Sequence, residues 1–293
     1  MVKIESDIKA LLRNIVHIKT IWEGKMIDVN QIVKQYRVKQ QSQKWLKNLF
    51  HAEFKTVAAV QGISFHIAEG EMVGLIGLNG AGKTTTLKML AGLIHPSEGT
   101  IKVNGFTPKE LKKEYLKEIG LVMGNKSQLR WDISAYASFE LEGAIYGLED
   151  NEIKQRIDTL ANILDVTDLL KTPVRKLSLG ERMKMELILV LLHNPSILFL
   201  DEPTIGLDIL SQKKLRDFIR LYNKEHAATM IITSHNMRDV EELCDRVIVI
   251  DQGTIIYDGS IENLKSYNQK NDENESDNFE EIVANLLESG HAI

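Results

Sequence analysis

Eight residues, Gly77-Leu78-Asn79-Gly80-Ala81-Gly82-Lys83-Thr84, constrain this chain more than any other feature. They follow a continuous apolar run, Met72–Ile76, that reads as a strand buried in a parallel sheet. A helix is expected to start near Lys83. Strand, glycine-rich loop and helix in that order form a phosphate-binding pattern. Gly77, Gly80 and Gly82 permit unusual backbone angles and close approach. The N–H groups of Leu78, Asn79, Ala81 and Thr85, with those of the glycines, can then surround a phosphate, and the helix adds its positive N-terminal end. Lys83 is placed to reach the β and γ phosphates of a nucleotide, and the Thr84 hydroxyl to ligate Mg²⁺. With ordinary residue usage the pattern arises by chance in roughly one chain per hundred of this length. Its position between an apolar strand and a helix lowers that further, so the sequence implies nucleotide binding.

A second apolar run, residues 197–200, ends in Asp201 and Glu202. In open α/β sheets ligands bind at the C-terminal edge of the strands, where these two carboxylates would sit. There Asp201 can hold Mg²⁺ through water and Glu202 can polarise an attacking water. By themselves they could equally be two solvated acids at a strand end; the phosphate loop favours the functional reading. Residues 230–232 form another buried strand. Residues 247–250 and 254–257 read as a hairpin turning at Asp251-Gln252-Gly253. Near the N-terminus, Ile27, Val29, Ile32 and Val33 begin a strand pattern at Met26, and Ile63, Phe65 and Ile67 alternate before the turn at Glu69-Gly70-Glu71. Strands alternating with helices predict an α/β core with a parallel sheet, interrupted by a largely helical block over residues 132–176. No internal repeat is visible, which predicts one catalytic domain.

A third segment makes these signals specific. Leu177-Ser178-Leu179-Gly180-Glu181 lies just before a helix and about 20 residues before the second carboxylate-bearing strand. It resembles the signature sequence of ABC ATPases, with Leu179 and Glu181 in place of the usual Gly and Gln. A helix-capping box, Ser178 with Glu181, explains the pentapeptide as well. The resemblance spans roughly residues 26–262. It implies a P-loop NTPase fold: a RecA-like, mostly parallel sheet core, an antiparallel β subdomain and a helical signature subdomain at about residues 127–186. In that family the signature caps the γ-phosphate of ATP bound to the opposite subunit, through Ser178, Gly180 and the helix end. Residues 204–208 resemble the loop that touches the other subunit, ending at Asp208. His235 resembles the switch histidine that senses the γ-phosphate, and Tyr36, at the end of the first strand, the aromatic that stacks on adenine; a core aromatic is the alternative for Tyr36. The family's Mg²⁺-contacting Gln is missing from Gly124-Asn125-Lys126-Ser127-Gln128. Either Asn125 substitutes with a shorter reach or Gln128 fills the role after a shift.

The resemblance therefore implies ATP and Mg²⁺ as cofactors. It also implies a second nucleotide-binding subunit, identical or related, and separate membrane permease subunits. Leu129-Arg130-Trp131-Asp132 and the long insertion after Tyr36 resemble an exporter-type subgroup. The relatives that act on chromosomes carry long coiled coils, and those that act on ribosomes usually carry two such domains; neither pattern occurs here. A regulatory module without turnover would need neither Glu202 nor His235.

The flanks and composition fit a peripheral protein. The longest apolar run, residues 187–192, is far short of the roughly 20 residues that cross a bilayer. The N-terminus does not read as a secretory leader, because Lys3, Asp7, Lys9 and Arg13 interleave its apolar residues. A membrane role would thus be played from the cytoplasmic face. The lone Cys244 excludes an internal disulfide and reads as a buried apolar side chain in a reducing compartment. The net charge of −5 is concentrated in residues 270–293, which carry −6 and leave the remainder at +1, so no nucleic-acid partner is expected. Residues 1–25 have helix-like apolar spacing, read either as a docking helix or as a helix packed on its own domain. Residues 37–55 are basic and amphipathic, read as a loop folded back or a membrane-surface helix. After the body, 263–293 read as an acidic linker, polar from Gln269 to Asn278, and a short amphipathic helix bearing Ile282, Val283, Leu286 and Leu287.

Overall fold

A computed structural model of the chain describes residues 25–39, 54–124, 126–271 and 278–289. The helix expected in residues 1–25 and the candidate Asn125 lie outside the described residues.

Three strands, β1 (Lys25–Lys39), β2 (Phe54–Ala68) and β4 (Glu98–Val103), form an antiparallel sheet in the order β2-β1-β4. Six more form the second sheet: β3 (Met72–Ile76), β5 (Ile119–Met123), β6 (Ile197–Asp201), β7 (Thr229–Thr233), β8 (Arg246–Asp251) and β9 (Thr254–Ser260). Their order is β5-β6-β7-β3-β8-β9; every pairing is parallel except the β8–β9 hairpin. The central strands β6 and β7 are buried at every position and mostly apolar because both faces are covered. Ile197 and Phe199 point to a core shared with the antiparallel sheet and helix α1 (Lys83–Leu90). Leu198 and Leu200 point to the other core, which the helices from Ala135 onward fill.

Helix α2 (Lys113–Glu118) leads into β5. Between β5 and β6 run α3 (Ala135–Tyr146), α4 (Asp150–Ile163) and α5 (Leu179–Leu191), with two single 3-10 turns at Thr167–Leu169 and Val174–Lys176. Ser134 caps α3 by accepting from the Ala137 N–H, and Gly147 ends it at φ 76°. Between β6 and β7 lies α6 (Ile209–His226), and between β7 and β8 lies α7 (Met237–Leu243). This arrangement leaves the C-terminal ends of β3, β6 and β7 side by side, where a ligand site is expected in an open parallel sheet.

Two expectations are corrected. Arg37, Val38 and Lys39 continue β1 and pair with Thr56, Lys55 and Phe54 of β2, so the two ends of the basic segment are extended, while residues 40–53, on which the loop and membrane-surface-helix readings rest, lie outside the described residues. Tyr36 therefore lies within the strand, not at its end. At the C-terminus, α8 (Ile261–Asn271) runs into the segment read as linker. The amphipathic helix after it, α9 (Phe279–Ser289), packs on α7 and α8, burying Phe279, Ile282, Val283 and Leu286. Cys244 is buried, which pushes its thiol pKa up.

Candidate functional site: a phosphate cleft

The turn from β3 to α1 is held in shape by its neighbours. Gly82 caps α1 at φ 113°, and a Cβ there would come within 2.6 Å of the Ala59 carbonyl oxygen on β2. No other residue type fits that combination of left-handed backbone and close approach. The Gly253 N–H donates to the Ala81 carbonyl at 2.9 Å, which ties the loop to the β8–β9 turn. Lys83 is buried, and its Nζ donates to the carbonyls of Gly77 at 2.6 Å and Leu78 at 3.1 Å. Burial pulls its pKa below the usual lysine range, while the Glu202 and Asp201 carboxylates pull the other way. The result is an ammonium group curled over a loop of backbone amides.

The loop forms one wall of a cleft of about 300 Å³. Asn79, Gly80, Ala81, Gly82, Lys83, Thr84 and Thr85 line it from one side. Asp201 and Glu202 from β6, and His235 from beyond β7, line it from the other. Asp201 is buried at the end of β6 and accepts from the hydroxyls of Thr84, at 3.0 Å, and Thr233, at 2.7 Å. A hydroxyl and a carboxylate this close form the hard-oxygen pair that suits Mg²⁺, with nucleotide phosphates supplying further oxygens, so these residues fit that ion. Glu202 takes the left-handed conformation at φ 58°. Its backbone N–H donates to the Thr233 carbonyl at 3.1 Å. One carboxylate oxygen accepts from the His235 N–H at 3.1 Å, and the other lies 3.4 Å from His235 Nε2. A strained residue held this firmly beside a phosphate-binding loop has the marks of a functional position.

Comparison with known proteins agrees with this geometry. Residues 60–205 match the ABC transporter family model. The chain is 39% identical to the ABC transporter ATP-binding protein NatA of Bacillus subtilis, over 77% of this chain and 91% of that protein. This chain belongs to the ABC transporter ATP-binding family. It is also 35% identical to the linearmycin resistance ATP-binding protein LnrL of Bacillus subtilis, over 71% of this chain and 66% of that one. The fold matches a solved dimeric ABC cassette, MJ0796, in a post-hydrolysis state with ADP and phosphate, at a TM-score of 0.69 and 21% identity, covering 80% of this chain and 98% of that one. The P-loop NTPase fold and the ATPase class expected from the sequence are thus established.

In this ABC ATPase the other expected site residues are not gathered into the phosphate cleft. Ser178 caps α5 in a full capping box, accepting from the Glu181 N–H at 3.3 Å while Glu181 accepts from the Ser178 N–H at 2.8 Å. The unusual Glu181 thus has a local use. Gly180 is required within the subunit, since a Cβ there would lie 2.9 Å from the Gly206 carbonyl oxygen. Asp208 caps α6 through the N–H groups of Leu210 and Ser211, both at 3.0 Å. The Ser211 hydrogen bonds hold its carboxyl below the usual range. Tyr36 is half-exposed on the hairpin, paired with Val57 and with Lys34 Nζ 5.3 Å from its ring centre.

Gln128 is placed apart from the cleft residues. Its side-chain amide donates to the Leu121 carbonyl at 2.5 Å and its backbone N–H to Glu186 at 2.9 Å, and it does not line the cleft. Glu186 is a residue that sequence reasoning missed. Buried in the middle of α5, it accepts from the Ser127 hydroxyl and from the N–H groups of Gln128 and Leu129. Burial pushes its carboxyl pKa up, and those hydrogen bonds oppose the shift. Thr233 was missed as well. Its signal was a polar residue ending an apolar run, one strand over from Asp201 in parallel register.

Proposed function

We propose that this ATPase drives export of a substrate through partner membrane subunits, working at the cytoplasmic face, with two nucleotide-binding chains closing on ATP. The observation that carries the reading is the meeting of the Lys83 loop, Asp201, Glu202 and His235 in one cleft. The loop amides and Lys83 would bind the β and γ phosphates. Thr84 and Asp201 would hold Mg²⁺, with Asn125 the remaining candidate from its segment; the bound ion would neutralise part of the phosphate charge. Glu202 would accept a proton from the water attacking the γ-phosphorus, the bond to the bridging oxygen breaking to give ADP and phosphate. His235 would orient the Glu202 carboxylate through the contacts already present. Tyr36, on the strand pair that abuts the loop at Ala59, would face the adenine.

The cap on the γ-phosphate would come from Ser178 and Gly180 of a second subunit, identical or related, with Asp208 at the contact between the two. The dimeric MJ0796 cassette supports that arrangement, and a relative named for linearmycin resistance supports export. In this reading residues 26–262 are the ATPase domain, with 127–186 inserted as the signature-bearing helical part. Residues 1–25 extend it, and 263–293 follow as linker and helix. Among the described residues no helix is long and apolar enough to cross a membrane, so the membrane path would belong to the partners.

The test is turnover against protein concentration. A site completed by a second copy should show specific activity that rises with concentration until dimers dominate. Specific activity that stays constant on dilution to strictly monomeric protein would contradict the shared site.

A further inference from the structure

We propose that Asp239 is a positioning residue for ATP hydrolysis, fixing Glu202 and His235 relative to each other through the hydroxyls of Thr204 and Ser234. The inference rests on the roles proposed above for Glu202 and His235. Asp239 is the third residue of α7 and fully buried. Its Oδ2 accepts from the Thr204 hydroxyl at 2.5 Å and from the Ser234 hydroxyl at 3.1 Å. Thr204 stands two residues after Glu202, and Ser234 immediately before His235. A single carboxylate oxygen thus grips the chain on both sides of the Glu202–His235 contact.

The other oxygen has a different partner. Asp239 Oδ1 accepts from Arg216 Nη1 at 2.6 Å, and Arg216, itself buried, also donates from Nε to Glu242 at 2.8 Å. A buried carboxylate is costly unless paired and fully hydrogen-bonded, and this one is both. An ion pair meant only to fasten α6 to α7 would need Oδ1 alone. The two bonds to Oδ2 instead reach the two loops that carry site residues. Ser234 Oγ extends the network by accepting from the Asn236 N–H at 3.0 Å, next to His235 on its far side.

Glu202 needs such support. A glutamate at φ 58° persists only where its surroundings over-determine it. Its carboxylate is aimed by the His235 N–H at 3.1 Å, so movement of either loop would misdirect it. Misplacing a reacting group by about 1 Å costs on the order of a hundredfold in rate. Nucleotide binding, which rests on the Lys83 loop across the cleft, would be spared.

The experiment compares full-length parent, Thr204→Val, Thr204→Ser, Asp239→Asn and Glu202→Gln by steady-state ATP turnover. Thr204→Val keeps the side-chain shape, removes one bond to Oδ2 and leaves the Arg216 pair intact, so it stands even if Asp239→Asn fails to fold. Its kcat is expected to fall about tenfold or more with KM for ATP within twofold of the parent, and Thr204→Ser is expected to recover the parent kcat. A purely structural hydroxyl would not produce that split and rescue. The inference is overturned if Thr204→Val turns over within twofold of the parent, or if Thr204→Ser recovers nothing. Glu202→Gln separates the two levels. If it stops turnover while Thr204→Val does not, the reading of the site stands and Asp239 loses its role; if Glu202→Gln itself turns over normally, the reading of the site fails first.

Discussion

The Glu202→Gln protein is expected to bind ATP as the parent does and to hydrolyse it at least about a hundredfold more slowly, the lower end of what general base catalysis contributes. The amide keeps the size of the side chain, and its oxygen can still accept from the His235 N–H that now meets the carboxylate at 3.1 Å. What it cannot do is take a proton from water. Asp201, one residue earlier, does not replace it, because its oxygens are engaged by the hydroxyls of Thr84 and Thr233. Phosphate release under saturating ATP measures the loss, and equilibrium binding confirms that affinity survives. Turnover within threefold of the parent would assign the base to another group.

Lys83→Ala is expected to do the reverse, removing binding itself. Lys83 is the one loop side chain whose ammonium is already buried against the loop backbone, at 2.6 Å from the Gly77 carbonyl oxygen. Hydrogen bonds to charged groups contribute about 1.5–3 kcal/mol each, so losing contacts to two phosphates corresponds to at least about a hundredfold in Kd. Calorimetric titration with ATP reads this directly. An affinity within a factor of two of the parent would mean that the loop does not bind the phosphates.

Much of this site is legible in the sequence because its parts are local. Met72–Ile76 and residues 197–200 read as buried strands since both faces of the central sheet are covered, and the loop and carboxylates follow each strand directly. The capping box at Ser178 is equally local, four residues from start to end. What is hidden depends on distant partners. The strand of Tyr36 runs on through Arg37, Val38 and Lys39 to pair with Thr56, Lys55 and Phe54, and no local pattern announces that register. Glu186 reads as a solvated acid within a helix, but folding brings Ser127, Gln128 and Leu129 over it. Arg216 and Asp239 are 23 residues apart and belong to different helices, so their buried pairing has no sequence signature. The placement of Gln128 is hidden for the same reason, since its amide N–H donates to the Leu121 carbonyl on a neighbouring strand.

The central claim is that ATP is held between two subunits, with the phosphate loop of one facing the signature of the other. The loop and the Ser178 cap stand apart in a single chain: Ser178 and Gly180 do not line the phosphate cleft. Donors fixed in advance around the developing charge are what stabilise such a transition state, and the proposed cap residues of one subunit lie outside its own cleft. Light scattering on Glu202→Gln protein in saturating ATP and Mg²⁺ tests this most directly. The expected mass is twice that of the monomer, returning to the monomer value when Ser178→Arg is added to block the cap. A monomer mass under those conditions, together with parent turnover undiminished on dilution, would contradict the shared site.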